Sequence, residues 1–418
     1  MKTGTSFLQD LMMANRQPLA EAGYLFPGET WPDQSRAVRD ILFDPSPDPR
    51  MRAHLNGMWA KFRDEMLAHE GRASIISMEF LSFADEERAR RVVDSLAGAD
   101  VHAVLTVRDA AAVIPAQWQT NCRNGGKLPY ERMLTGVRLA LDEAGAHQHR
   151  APYRLFQRTQ GIPRMLEAWV PVVGPERIHV ITVPPRGSEP ALLWQRFAHV
   201  VGVDPKVASL DKILTNPSLG LASTELLRLL NVELGKVPQM DYRGVVKGPL
   251  ARLILGGRAH LEAPVRLNRR GAALAARWNG VVLDSVAAHQ VPLVGSADDL
   301  PTEPGPETFG PLPAPREDEL LSAAATARAG LLALRDDLAA DRDPIATRRA
   351  LVRLSRGIAD LPVPDAWTEA TDPLRAAVIE VARLARDCME LHGRSANGLR
   401  TRDDLDEPHA EAEGEHDD

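Results

Sequence analysis

The sequence predicts an α/β protein in which a parallel sheet is flanked by helices and followed by an all-helical C-terminal segment. Over the first 205 residues, short runs rich in β-branched residues alternate with amphipathic stretches. The runs are apolar almost throughout, as is typical of parallel strands that helices cover on both faces. Beyond residue 316 only the helical periodicity remains. A chain of 418 residues, 44% of them hydrophobic, can bury a substantial core.

Four strands and the helices between them account for the α/β pattern. The candidate strands are residues 22–26, 73–78, 101–107 and 177–183. Amphipathic stretches between these runs predict helices, among them 85–97, 129–145 and 189–201. Strands that alternate with helices in this way favour a parallel sheet.

Composition divides the chain into four segments. Residues 1–290 form the predicted α/β domain. Residues 291–316 form a predicted linker, because most of this stretch is rich in Pro, Gly, Asp and Glu. Residues 317–395 predict a helical bundle, and residues 396–418 predict an acidic, disordered tail.

Three helices are expected in the bundle. The second and third should begin at Asp343-Pro344 and Asp372-Pro373, because Asp caps a helix and Pro suits its first position. Gly393 is a candidate residue for ending the third helix.

The distribution of charge indicates neither a nucleic-acid partner nor a membrane partner. The net charge is −7, but residues 401–418 alone carry nine acidic residues and one Arg, so the rest of the chain is close to neutral. No apolar run approaches the roughly 20 residues that cross a bilayer, and no signal peptide is recognisable. Two distant cysteines, Cys122 and Cys388, suit a reducing compartment, so the sequence predicts a cytoplasmic location.

A candidate phosphate-binding loop opens the chain, with the sequence Lys2-Thr3-Gly4-Thr5-Ser6 before a helical pattern. A helix N-terminus offers unpaired backbone N–H groups and the positive end of the helix dipole, to which Lys2 adds an ammonium group. The order of residues is not that of a Walker A loop, because the Lys precedes the Gly. A simple capped helix is the alternative interpretation.

Residues 2–9 resemble the 5'-phosphosulfate-binding loop of sulfotransferases that use 3'-phosphoadenylyl sulfate (PAPS), in particular the bacterial family with a Lys-Thr-Gly-Thr-(Ser/Thr)-x-Leu-Gln core. A second motif follows the strand at 101–107, where the family pattern is Arg-Asp-Pro and then Ile-Pro-Ser-x-Trp-Gln. This chain reads Arg108-Asp109-Ala110 and then Ile114-Pro115-Ala116-Gln117-Trp118-Gln119. Arg108 therefore matches, whereas Ala110 and Ala116 replace the usual Pro and Ser.

The resemblance covers about residues 1–290 and implies a P-loop sulfotransferase fold with PAPS as co-substrate. It implies that the loop residues Lys2, Thr3, Gly4, Thr5 and Ser6 bind the phosphosulfate and that Arg108 binds the 3'-phosphate. Arg186-Gly187 weakly resembles the basic loop that closes over the 3'-phosphate, although a simple turn beside Pro184-Pro185 is an equal alternative. The family also has a central strand directly before the phosphate loop. We therefore expect either a start site upstream of Met1 or an impaired chain that lacks this strand.

Two residues are candidates for catalysis. Lys2 would neutralise charge on the bridging oxygen during transfer. Glu79 follows the apolar run 73–78 and should reach the same sheet edge as Lys2 and Arg108; family members use a His or a Glu after the equivalent strand. Glu79 could instead cap the next helix or pair with an Arg. The sequence contains no metal-ligand cluster, and none is required.

We therefore expect transfer of a sulfuryl group from PAPS to a hydroxyl or an amine of a small molecule or glycan. The first alternative is a non-catalytic binding or scaffold protein, which Ala116 and the missing strand before Lys2 favour. The second is a P-loop kinase, in which Asp109 would have to act as a Mg²⁺ ligand.

Overall fold

A computed structural model of the chain describes residues 2–43, 55–142, 147–210, 218–305, 314–356 and 361–394. The predicted tail at 396–418 and part of the predicted linker lie outside these ranges. The structure is mostly helical. Its α-helices are α1 (Thr5–Ala14), α2 (Arg16–Glu21), α3 (Trp31–Leu42), α4 (Met58–Leu67), α5 (Glu86–Ser95), α6 (Ala110–Arg123), α7 (Tyr130–Leu141), α8 (Ala151–Gln160), α9 (Ile162–Val173), α10 (Leu192–Val201), α11 (Leu221–Leu234), α12 (Gln239–Tyr242), α13 (Arg269–Ala288), α14 (Glu317–Ala339), α15 (Pro344–Arg356), α16 (Asp365–Thr368) and α17 (Pro373–Arg394).

A π-helix, Arg243–Leu255, follows α12 directly. Five short 3-10 helices complete the helical structure of the described ranges: Glu79–Phe83, Pro175–Arg177, Pro205–Val207, Ala259–Leu261 and Ala297–Asp299.

The strands form two small parallel sheets. The first pairs β1 (Tyr24–Leu25) with β2 (Ala73–Ser74). The second has the order β3 (Ala103–Val107), β4 (Ile178–Thr182) and β5 (Leu293–Val294). In the second sheet Leu105 lies opposite Val180, and Val180 lies opposite Leu293.

All four predicted strands are present, and the prediction of parallel pairing is confirmed. The division into two sheets was not expected. In the sheet of β1 and β2, regular pairing covers only two residues on each strand. One further hydrogen bond joins the Ile75 N–H to the Leu25 carbonyl at 2.8 Å. β5 was missed because two residues in a stretch rich in Pro and Gly leave no periodic pattern.

Helix α1 shares a buried cluster with Tyr24 of β1 and Ile181 of β4, one residue from each sheet. Gln9 donates a hydrogen bond to the carbonyl of Ser77, which follows β2, at 2.7 Å. At the start of the helix, the Thr3 side chain contacts Thr106 of β3. The apolar face of α1 buries Leu8, Leu11 and Met12 in a core shared with β4 and α10. The loop before α1 is therefore held at the sheet edges by packing along the whole helix.

The C-terminal helices share one hydrophobic core with the α/β part. Leu331 of α14 and Val381 of α17 belong to the same buried cluster as Val180 of β4. The predicted helix starts are confirmed, because the Asp343 carboxylate accepts from the Ala346 N–H and the Asp372 carboxylate from the Arg375 N–H, both at 2.9 Å.

The structure differs from two further sequence predictions. The helix α17 continues through Arg394, so Gly393 lies inside it and does not end it. The first residues of the predicted linker form β5 and pack on β4. None of the helices in the described part of the chain is both long and apolar enough to span a membrane.

Candidate functional site

The loop before α1 has a backbone conformation that depends on glycine. Lys2 has a φ of 64° and Gly4 a φ of 82°, so two of three successive residues lie in the left-handed region. A Cβ atom on Gly4 would also lie 2.4 Å from Cδ2 of Leu193 in α10. Any side chain at this position would therefore be strained and would displace Leu193.

Thr3 fixes the loop to the end of β3. The side chain is buried, with 4% of its surface exposed, and its Oγ1 lies 2.8 Å from Oγ1 of Thr106. Thr106 is the penultimate residue of β3. The N-terminus of α1 has no side-chain cap and no acidic residue in its first turn. Its first backbone N–H groups therefore lie at the carboxyl end of the sheet without a capping side chain, a favourable arrangement for an anion.

A pair of arginines lies at the same end of the sheet. Arg108 directly follows β3, and Arg186 lies in the turn that follows β4. In that turn the Ser188 N–H donates to the Pro185 carbonyl at 3.3 Å, and Gly187 has a φ of 89°. Glycine is the residue that this kind of turn favours at its third position.

The two arginines are close enough to influence one another. Burial lowers the pKa of the Arg108 guanidinium, and the positive charge of Arg186 lowers it further, whereas Asp109 raises it. The Arg108 guanidinium remains charged at neutral pH, because an arginine does not lose its proton in proteins. Within the described ranges neither group forms a hydrogen bond or an ion pair with another residue. Two positive charges at one end of the sheet, one of them partly buried, favour the binding of an anion.

Asp109 has a structural role beside this pair. Its Oδ1 caps α6 by accepting from the Ala111 N–H at 2.9 Å and also accepts from Nδ2 of Asn279 at 2.8 Å. Asn279, with 1% of its surface exposed, accepts in turn from the Ala110 N–H at 3.0 Å. This network fixes the backbone directly after Arg108.

Glu79 begins the 3-10 helix that follows β2 and is partly exposed. Its carboxylate forms no hydrogen bond or ion pair with any residue that the structure describes, and helix α5 is capped by Asp85 instead. Ser77, two residues earlier, is fixed between Gln9 and Gln34, whose Oε1 accepts from the Ser77 N–H at 3.0 Å. The backbone that carries Glu79 is therefore tied to α1. Glu79 follows a strand of the two-stranded sheet, whereas Arg108 follows a strand of the three-stranded sheet, so the two residues do not share one sheet edge as the sequence predicted.

The structure thus brings together several residues that the sequence singled out. The loop from Lys2 to Ser6 contacts β3 through Thr3, and Arg108 and Arg186 lie at the same end of that sheet. Thr106 and Asn279 were missed. A hydroxyl near the end of an apolar strand and an Asn inside an Ala-rich helix are the signals that point to them.

Two histidines and a tryptophan of the α/β part lie outside this site. His102 and His179 lie at the amino ends of β3 and β4, opposite to the site. Trp118 is a core residue, with 1% of its surface exposed and its indole N–H donating to the Leu128 carbonyl.

Comparisons with protein-family models, with curated proteins and with solved structures found no match for this chain.

Proposed function

We propose that this chain binds PAPS and transfers its sulfuryl group to an acceptor hydroxyl or amine. The observation that carries the proposal is that Arg108 and Arg186 follow neighbouring parallel strands at the sheet end to which Thr3 fixes the Lys2–Ser6 loop. The motif resemblance and this geometry agree on the same residues. The P-loop sulfotransferase fold is part of the same proposal.

A ligand with two separate anionic groups fits this arrangement better than one with a single phosphate. The uncapped N-terminus of α1, with Lys2, suits the 5'-phosphosulfate. The arginine pair suits the 3'-phosphate, because guanidinium groups bind phosphate oxygens through paired hydrogen bonds. A nucleoside 3',5'-bisphosphate carries anionic groups at both positions.

In the proposed reaction the acceptor oxygen or nitrogen attacks the sulfur of PAPS. A new bond to sulfur forms while the bond between sulfur and the bridging phosphate oxygen breaks, and adenosine 3',5'-bisphosphate leaves. Lys2 neutralises the charge that develops on the bridging oxygen. Glu79 takes the proton from the acceptor as it attacks, which suits a carboxylate without a protein partner.

A non-catalytic binding protein is the second candidate, because Ala116 lacks the hydroxyl that the resembling family presents to the 3'-phosphate. Such a protein would bind the nucleotide at the same site but would not transfer the sulfuryl group. A P-loop kinase is disfavoured, since Lys2 precedes Gly4 and the loop lacks the residue order of a Walker A motif.

Calorimetry with adenosine 3',5'-bisphosphate and with ATP-Mg²⁺ tests the proposal. We expect the bisphosphate to bind and ATP-Mg²⁺ to bind much more weakly. Preference for ATP-Mg²⁺, or binding of neither nucleotide, would contradict it. A second experiment follows the sulfuryl group of labelled PAPS to a panel of alcohols and amines, and binding without any transfer would favour the non-catalytic candidate.

A further inference from the structure

A row of exposed arginines lies on α15, in the C-terminal helical part. The helix contains four arginines and no acidic residue. Arg348, Arg349 and Arg353 are exposed, whereas Leu351, on the other side of the helix, has only 1% of its surface exposed. Arg349 and Arg353 are neighbours on the helix surface because they are four residues apart, and Arg348 adjoins them. We call these three arginines the arginine face.

The described part of the chain leaves the arginine face uncovered. Within those ranges, none of its three guanidinium groups forms a hydrogen bond or an ion pair. Two acidic residues that precede α15 have other partners: Asp337 pairs with Arg342 at 2.9 Å, and the Asp343 carboxylate accepts from the Ala346 N–H. Ile345, in the first turn of the same helix, is 61% exposed. The face therefore presents positive charge to solvent.

A segment of opposite charge belongs to the same chain. Residues 403–418 carry nine acidic residues and no lysine or arginine. No other stretch of the same length carries as many acidic residues. The segment lies outside the described ranges and follows the end of α17 at Arg394. Carboxylates and guanidinium groups form strong, charge-assisted hydrogen bonds, so the two are complementary.

The acidic segment begins within reach of the arginine face. In the last turn of α17, Nδ1 of His392 lies 3.5 Å from Oδ1 of Asp241 in α12, and the π-helix follows α12 directly. Just past the other end of the π-helix, a Cβ atom added to Gly257 would lie 2.6 Å from Cβ of Ser355, so the C-terminal end of α15 packs there. A π-helix of 13 residues spans at most about 20 Å. The chain between the end of α17 and the first acidic residue of the segment spans up to about 30 Å when extended.

We propose that the acidic segment 403–418 binds the arginine face of α15 in the same molecule. The inference does not depend on the proposed nucleotide site, which lies in the α/β part. A tethered segment has an effective concentration in the millimolar range, so weak individual contacts suffice. Because the contacts join charges at the surface, salt should screen them. The bound segment shields positive charge that would otherwise attract other anions.

Zero-length cross-linking of the full chain tests the inference. The variant Arg349→Lys keeps the positive charge and supplies an amine, which a carbodiimide joins to a carboxylate in direct contact with it. Mass spectrometry identifies the two peptides that are joined. We expect position 349 to cross-link to residues 403–418. The yield should fall several-fold in about 1 M sodium chloride, where charges are screened within about 3 Å.

Two amines at other positions serve as controls. Arg375→Lys is the matched control variant, because Arg375 is exposed on α17 of the same helical part and has no ion-pair partner among the described residues. Lys61, exposed on α4, is an internal control in every sample. The acidic segment should join position 349 several times more than either control position. Equal yields at the three positions, or cross-links from position 349 to other carboxylates only, would overturn the inference.

A mixture of ¹⁵N-labelled and unlabelled protein separates contacts within one molecule from contacts between copies. Cross-links that join labelled to unlabelled peptides would show that the segment binds a second copy, and they would overturn the inference. In the Arg349→Lys chain, the changes Asp403→Asn, Asp404→Asn and Asp406→Asn remove three of the nine negative charges. They should lower the yield at the remaining carboxylates of the segment. An unchanged yield would show that charge does not hold the segment on α15, which would also overturn the inference.

Discussion

The hydroxyl oxygens of Thr3 and Thr106 lie 2.8 Å apart and join two residues separated by 103 positions in the sequence. This contact holds the loop before α1 against the C-terminal end of β3, next to Arg108. A loop that is fixed before the ligand arrives does not have to be ordered on binding, so more of the contact energy contributes to affinity. Removing the Thr3–Thr106 contact therefore tests most simply whether the loop belongs to a preformed site.

Replacing either threonine with valine should lower both stability and nucleotide affinity. Each change leaves one hydroxyl without its partner at a buried or half-buried position, which typically costs about 1–3 kcal/mol. The double variant Thr3→Val/Thr106→Val should cost less than the sum of the two single changes, because no unpaired hydroxyl remains. Denaturant unfolding measures the stabilities, and calorimetry measures the affinity for adenosine 3',5'-bisphosphate. Additive effects of the two single changes would show that the hydroxyls do not interact.

Lys2→Ala should reduce sulfuryl transfer strongly while the protein remains folded. Loss of one group that stabilises charge in the transition state typically lowers kcat by about 10²–10³. Lys61→Ala is a matched control, because Lys61 is exposed on α4, outside the site. Transfer from PAPS to the best acceptor is the measurement. Equal rates for wild type and Lys2→Ala would remove Lys2 from the mechanism.

Much of the fold was predictable because local pattern decides it. β3 and β4 are runs of β-branched and apolar residues, and their parallel pairing follows from the helices between them. The starts at Asp343 and Asp372 follow from local capping chemistry. β5 and the separation of the strands into two sheets depend on contacts between distant segments, and two-residue strands have no pattern of their own.

The positions of some candidate-site residues were likewise predictable from the sequence, and those of others were not. Arg108 and Arg186 were predictable because each follows a strand of one parallel sheet, and the carboxyl ends of such strands meet at one edge. The pairing of Thr3 with Thr106 and the edge-to-face packing of Phe156 on Trp278 were not predictable. They arise from the packing of helices and strands that are more than a hundred residues apart in the sequence.

Ala116→Ser should strengthen binding of the 3'-phosphate. Ala116 lies on α6, is partly exposed, and stands where the resembling family has a Ser that binds this phosphate. A hydrogen bond to a charged group typically contributes about 1.5–3 kcal/mol, which corresponds to about tenfold or more in affinity. Calorimetry should show this gain for adenosine 3',5'-bisphosphate and not for adenosine 5'-phosphate. Ala112→Ser, one turn earlier on the same helix, is the control, and equal gains for both nucleotides would place residue 116 away from the 3'-phosphate.

The histidine pair at the opposite end of the sheet should make stability depend on pH. Nδ1 of His102 lies 3.0 Å from Nε2 of His179, and the other His102 nitrogen lies 3.2 Å from an Asp100 carboxylate oxygen. Burial lowers the pKa of His179, and the neighbouring His102 lowers it further. The unfolded chain therefore binds a proton more readily than the folded chain, so this contribution to stability is present above about pH 6.5 and is lost as the pH falls.

His179→Gln should reduce that dependence, because Gln can still donate a hydrogen bond to His102 but does not titrate. Thermal unfolding at about pH 7.5 and about pH 5 should show a smaller fall in Tm for His179→Gln than for wild type. His199→Gln, at an exposed position on α10, serves as the control. A fall in Tm for His179→Gln as large as that of wild type would contradict the prediction.

The most direct test of the central claim compares adenosine 3',5'-bisphosphate with adenosine 5'-phosphate on Arg108→Gln and Arg186→Gln. If the arginine pair binds the 3'-phosphate while the loop binds the 5' end, wild type should prefer the bisphosphate by about 10- to 100-fold. Either variant should lose most of this preference and keep its affinity for the 5'-phosphate. Arg90→Gln, which removes the same charge from an exposed position on α5, should keep the preference. A wild type without the preference, or variants that retain it in full, would contradict the account.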